Sequence, residues 1–131
     1  MKKVSLTLII LFSFITGSFA KGPTLHWLEG QWEGTGGDVS ISFNWTITLS
    51  YKADDKSIKL TYPSHNCGGS LKILTIESGK ATCMEDVNYG LGQCVSGLSV
   101  TINQESDGTI TVKYYNVGTN ILKSIAKLKR K

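Results

Sequence analysis

Ile41-Ser42-Phe43-Asn44-Trp45-Thr46-Ile47-Thr48-Leu49-Ser50-Tyr51 places a large apolar residue at every second position and a polar one between. A period of two is the mark of a strand with one face in a core and the other in water. The same reading extends in both directions. Gln31 to Thr35 forms a strand ahead of it; Asp54-Asp55-Lys56 turns the chain into Ser57 to Tyr62; Ser78-Gly79 is a tight turn between Ser70–Glu77 and Lys80–Tyr89. Gly90-Leu91-Gly92 reverses into Cys94 to Gln104, Ser106-Asp107-Gly108 into Thr109–Tyr115, and Gly118-Thr119-Asn120 into a last strand near Ile121 to Lys129. No segment after residue 20 carries a helical period. About eight short strands joined by hairpin turns predict an all-β fold, an up-and-down antiparallel barrel or a small sandwich.

Residues 1 to 20 read as a secretory signal, with Lys2 and Lys3 at the start, an apolar stretch from Val4 to Ile15, and Ser18-Phe19-Ala20 as the cleavage site before Lys21. The apolar part is shorter than the ~20 residues a membrane-crossing helix needs, so the mature chain, 21 to 131, is expected to be a single secreted or periplasmic domain without a membrane span. Of 14 basic residues, removing Lys2 and Lys3 leaves 12 against 10 acidic ones, a net of +2 that argues against a nucleic-acid partner. Most of that excess lies at the end, in Lys123, Lys127, Lys129, Arg130 and Lys131.

Export permits a disulfide. With Ser78-Gly79 as a turn, Cys67 falls opposite Tyr89 or Gly90, near Cys94. Cys83 falls opposite Leu74, ~20 Å from Cys67 at ~3.3 Å per residue, and about five positions from Cys94, beyond the ~7 Å Cα limit for a bridge. Cys67–Cys94 is therefore the expected disulfide, and Cys83 a small buried hydrophobe. Three thiols without matching histidines make a poor zinc site, and neither a metal nor a cofactor is expected.

Gly30-Gln31-Trp32 opens the first strand and Arg130, the one arginine after residue 20, ends the last. This resembles the calycin pattern of lipocalins and their relatives, which implies that Trp32 plugs the bottom of a closed barrel and Arg130 packs across its ring. The Tyr62-Pro63-Ser64-His65-Asn66-Cys67-Gly68-Gly69 block and Glu85-Asp86-Val87-Asn88-Tyr89-Gly90-Leu91-Gly92-Gln93-Cys94 resemble a family of small exported bacterial β-domains, found alone or attached to larger proteins such as kinases. The resemblance implies the fold and the disulfide and carries no active site. Cys83 departs from it, standing where a bulky apolar residue is expected, which predicts a small hollow in the core.

Glu85 shares the parity of Cys83, Val87 and Tyr89, so a carboxylate is expected to point inward, where it must be paired, hydrogen-bonded or protonated. It either anchors a ligand, with Tyr62, Tyr89, Tyr114 and Trp45 as walls, or is held structurally by a tyrosine hydroxyl, a backbone group or a basic residue; the structural role is the favoured one. Asp86 points to the opposite face, leaving no second carboxylate for a hydrolase pair. Ser64 and His65 are adjacent in a turn, which does not make a nucleophile and its base. Gly34-Thr35-Gly36-Gly37 precedes no helix and cannot cradle a phosphate. Leu25 and Trp27 are expected to form a lid. These features suggest a non-catalytic secreted or periplasmic binding module for an unknown small ligand or extracytoplasmic protein. The alternative is an inhibitor of a hydrolase, of protease or lysozyme type, acting through a barrel end or through an inserted arm from Lys21 to Trp27.

Overall fold

A computed structural model describes residues 22–131; the expected signal segment and cleavage point lie outside the described residues. Eight strands follow one another: β1 (Gly30–Asp38), β2 (Asn44–Tyr51), β3 (Ser57–Tyr62), β4 (Cys67–Glu77), β5 (Lys80–Tyr89), β6 (Ser99–Gln104), β7 (Ile110–Tyr115) and β8 (Leu122–Arg130), with short 3-10 turns at His26–Leu28 and Pro63–His65. Each pairs antiparallel with the next, and β1 pairs with β8, so the sheet closes into an up-and-down barrel. Hairpin connections between sequence neighbours are the simplest route to this order. Asp54, Gly79, Gly108 and Gly118 carry the positive φ values these turns need.

Alternation fills the interior. Ile47, Leu49, Ile58, Leu60, Leu71, Val100, Ile102, Ile110, Val112, Ala126 and Leu128 are buried, while their strand neighbours face water. The run that begins at Ile41 alternates over more residues than it pairs: the strand starts at Asn44, and Ile41 and Phe43 lie exposed in the β1–β2 loop. A period-two pattern reports a strand only where a neighbouring chain supplies the ladder.

One end is plugged. Trp32 is buried against Leu25 and Leu28, and its indole Nε1 donates to the Leu28 carbonyl at 2.8 Å. Trp32 lies opposite Arg130 across the β1–β8 seam, and the guanidinium sits 4.4 Å above the ring. The same guanidinium donates to the carbonyls of Glu29 and, at 2.8 Å, Trp27. One side chain thus joins the last strand, the plug and the segment before β1. Leu25 is folded into this core as the lid expectation anticipated, with Trp27 partly buried against it.

Two bulges break the β4–β5 ladder, between Ile73 and Thr75 and between Gly68 and Gly69. At the second, Gly69 faces Val87 and Gly68 faces Tyr89, leaving Asn88 unpaired. The extra residue reverses the parity beyond it. Cys67 is bridged to Cys94 with a Cα separation of 6.4 Å, and Cys83 is free and fully buried. Burial alone pushes the Cys83 thiol up to about 12, which suits an inert core group. Gly90 makes the bridge reachable: its φ is 68°, and a Cβ there would stand 2.2 Å from the Asn66 carbonyl oxygen.

Trp32→Ala is expected to cost about 3–5 kcal/mol, the range for deleting a fully buried aromatic, measured by urea unfolding; a loss below ~1 kcal/mol would be incompatible with a plug that seals the barrel. Non-reducing peptide mapping should return a linked Cys67–Cys94 peptide, with Cys83 alkylated only after unfolding. Reduction should lower stability by about 3–4 kcal/mol through restored loop entropy, and a bridge containing Cys83 would contradict the β4–β5 register.

Candidate functional site

Opposite the plug, the other end of the barrel holds a cavity of about 160 Å³, lined among others by Trp45, Tyr62, Glu85, Leu98 and Tyr114, and by Asp38, Phe43, His65, Cys94, Lys123 and Ser124. Its polar lining comes from inward positions of different strands: Tyr62 ends β3, Glu85 is in the middle of β5, Tyr114 is near the end of β7, and Ser124 is near the start of β8. Trp45, at the start of β2, swings its ring over Gly36. A Cβ at Gly36 would stand 2.4 Å from the indole, so only glycine leaves the ring its place.

Glu85 is 3% exposed. Tyr62 donates its hydroxyl proton to Glu85 Oε2, and the Tyr62 and Tyr114 hydroxyls are 2.9 Å apart. Tyr62 has one proton; while Glu85 holds it as an ionised acceptor, the second bond must run from Tyr114 to Tyr62. Among the described residues, Glu85 Oε1 has no hydrogen-bond partner. Burial raises the Glu85 carboxyl above its ordinary 4.5, opposed by the Tyr62 hydrogen bond and by the Leu98 backbone N–H, which favours the charged form without meeting hydrogen-bond geometry. Burial likewise raises Tyr62 and Tyr114, so both phenols stay protonated. The rings of Tyr62 and Tyr114 meet the Trp45 ring edge-on, at centroid distances of 5.4 and 5.5 Å and interplanar angles of 88° and 89°, an arrangement favoured by aromatic quadrupoles.

The wall beside Glu85 is a loop. Residues 94 to 98, expected as the start of a strand, carry no strand of their own; β6 begins at Ser99. They are laced to β5 instead, with Glu85 N donating to Leu98 O at 2.9 Å, Gly97 N to Glu85 O at 3.2 Å, and Val87 N to Ser96 Oγ at 3.0 Å. The disulfide then clamps Cys94 against the start of β4.

Four of the five residues expected around a ligand, Glu85, Tyr62, Tyr114 and Trp45, meet in this cavity. Tyr89 does not. It is 50% exposed, because the bulge at Asn88 turns it outward with Gly68 rather than inward with Val87. The cavity is also not beside Cys83, so the hollow expected there is not what this space is. Of the Glu85 carboxylate, one oxygen is held by a tyrosine hydroxyl, as the structural role requires, and the other has no partner among the described residues.

A second carboxylate, which β5 parity alone excluded, comes from β1: Asp38 lines the same cavity and accepts from Ser124 Oγ at 2.6 Å. Asp38 is the last residue of β1, just ahead of the loop that carries Val39, Ile41 and Phe43. Nothing in the sequence around it pairs it with Glu85. Ser64 Oγ lies 2.9 Å from His65 Nδ1, but it also accepts from the Thr46 amide while Ser64 N donates to Thr46 Oγ1, both at 3.0 Å. That reciprocal bracket ties the 3-10 turn to β2, and no carboxylate orients His65. Among the described residues no cluster of three or more His, Cys, Asp or Glu side chains could hold a metal, and no helix is long and apolar enough to cross a membrane.

Known proteins add no further constraint: the chain matches no protein-family model, and neither a curated protein nor a solved structure is significantly similar to it.

A raised folded-state value for Glu85 means that the folded chain binds more protons than the unfolded one between the ordinary carboxylate value and the raised one. Stability contributed by this group therefore falls as pH rises through that window. The difference in urea midpoint between wild type and Glu85→Gln should shift in favour of the variant as pH climbs from about 4.5 towards neutrality; a difference independent of pH would show that the carboxyl is not desolvated in solution.

Proposed function

We propose that this chain is a non-catalytic extracytoplasmic binding module whose barrel takes a small molecule at its open end, in keeping with its resemblance to small exported bacterial β-domains. The observation that carries the reading is Glu85 Oε1, a buried carboxylate oxygen without a partner on the wall of the cavity. Such an atom costs stability unless something binds it. Groups left imperfectly satisfied in a fold are characteristic of sites kept for function. The cavity, about 160 Å³, compares with the ~150 Å³ space that admits a benzene-sized guest. It is below the ~300–1,000 Å³ typical of drug-sized sites, so the ligand is a compact one or projects from the rim.

Catalysis has less support. Asp38 is held by Ser124, the Ser64 hydroxyl is engaged with Thr46, and the Cys83 thiol is sealed in the core.

The exposed apolar residues favour a second reading, inhibition of a hydrolase through the barrel end. Val39, Ile41 and Phe43, Leu91 and Val95, and Val117 and Ile121 belong to three loops around the open end, and clustered apolar exposure marks contact surfaces. The N-terminal arm supports that reading poorly, since Leu25 is committed to the protein's own core.

Native mass spectrometry of the protein isolated from periplasm or medium is expected to show a stoichiometric adduct of low mass that is lost or weakened in Glu85→Gln. Stoichiometric inhibition of lysozyme or a protease by ligand-free protein, abolished by Phe43→Ser with Ile121→Ser and untouched by Glu85→Gln, would transfer the assignment to the inhibitor.

A further inference from the structure

We propose that the open-end cavity binds a small organic ammonium ion, with Glu85 Oε1 as its ionic partner and the rings of Trp45, Tyr62 and Tyr114 as its walls. The proposal rests on the reading of the barrel as a binding module and narrows it to one ligand chemistry.

With Glu85 ionised, the Tyr62 proton is spent on Oε2 and the Tyr114 proton on Tyr62. The Ser124 proton is spent on Asp38. With those three hydroxyl protons committed, what the wall at Glu85 offers a guest is a free carboxylate oxygen beside hydroxyl lone pairs and aromatic rings. A cation brings that oxygen its countercharge, and an ammonium that carries N–H groups also brings it a hydrogen-bond donor.

The protein does not supply that countercharge. The ion pairs among the described residues are His26 with Glu29 and Lys127 with Asp107, and neither includes Glu85. Lys123 lines the same cavity without a hydrogen bond or ion pair to Glu85. An anionic guest would meet both Glu85 and Asp38. A neutral alcohol could satisfy Oε1 but would leave its charge uncompensated. The walls complete the fit, since aromatic rings beside a buried carboxylate add cation–π attraction to its charge.

The charged and titratable groups facing this space are Asp38 from β1, Tyr62 from β3, His65 from the 3-10 turn, Tyr114 from β7 and Lys123 from β8, besides Glu85. Ammonium affinity should fall on acidification as Glu85 takes up its proton. His65, the imidazole lining the same space, is replaced in a His65→Gln control.

Four probes separate the possibilities: tert-butylammonium, tetramethylammonium, tert-butanol and pivalate, followed by calorimetry and by the indole resonance of Trp45. Both cations are expected to bind saturably. Tert-butanol should bind at least ~10-fold more weakly than its ammonium isostere, the value of a charge-assisted bond over a neutral one, and pivalate should not bind. Glu85→Gln should weaken tert-butylammonium by a similar factor and remove the pH dependence, which His65→Gln should retain. Should Glu85→Gln fail to fold, Trp45→Leu must still weaken tetramethylammonium several-fold, and an unchanged affinity would overturn the proposal. Equal or tighter binding of tert-butanol or pivalate overturns the cation while leaving the binding module standing. If neither cation perturbs Trp45, the ammonium proposal falls, and the binding module is then decided by the native adduct.

Discussion

Everything in this molecule depends on the pairing of β1 with β8. A meander of eight antiparallel strands has two open edges and no inside until its first and last strands meet. Here they do so over seven residue pairs, from Trp32 opposite Arg130 to Asp38 opposite Ser124. The two ends of that seam set the two ends of the barrel. At one, Arg130 covers Trp32 and ties down the preceding segment through the carbonyls of Trp27 and Glu29. At the other, the Asp38–Ser124 hydrogen bond lies on the wall of the cavity. Loss of the seam would open an edge and drain the site together.

The contrast between the two ends explains why the interior is filled on one side and hollow on the other. The plug uses large apolar residues, Leu25, Leu28 and Trp32, packed on strand residues of similar character. The open end gives inward positions to Gly36, Glu85 and Ser124, which do not fill the same space with hydrocarbon. Its roof is built from loops rather than strands, and the disulfide holds the most important of them. Without the Cys67–Cys94 bond, residues 94 to 98 would depend on a few hydrogen bonds to Glu85 and Val87. A covalent tie at that point limits how far the wall beside Glu85 can move.

Glu85 is where stability and binding pull apart. A leucine there would suit the fold better, since burial disfavours the charge and one oxygen lacks a partner. The surrounding tyrosines soften the cost on one side only. Tyr62 is itself buried and relies on Tyr114, so three polar groups from β3, β5 and β7 support one another across the barrel. Removing Tyr62 breaks both bonds, whereas removing Glu85 or Tyr114 breaks one.

Alternation, turn residues and cysteine spacing were enough to determine an all-β meander, its approximate strand limits, the Cys67–Cys94 pairing and an inward Glu85, because these follow from local steric rules and from counting residues along a hairpin. The pairing of Trp32 with Arg130 was legible through resemblance. Tertiary structure decided the rest. A bulge is a disagreement between two strands, so neither strand alone announces it, and the one at Asn88 moved Tyr89 out of the site. Ile41 and Phe43 keep the strand rhythm yet have no ladder to join. Asp38 and Ser124 share a cavity with Glu85 only because the barrel closes. Whether Glu85 Oε1 finds a partner depends on the arrangement of several strands and a disulfide-held loop at once, and no periodicity in the chain encodes it.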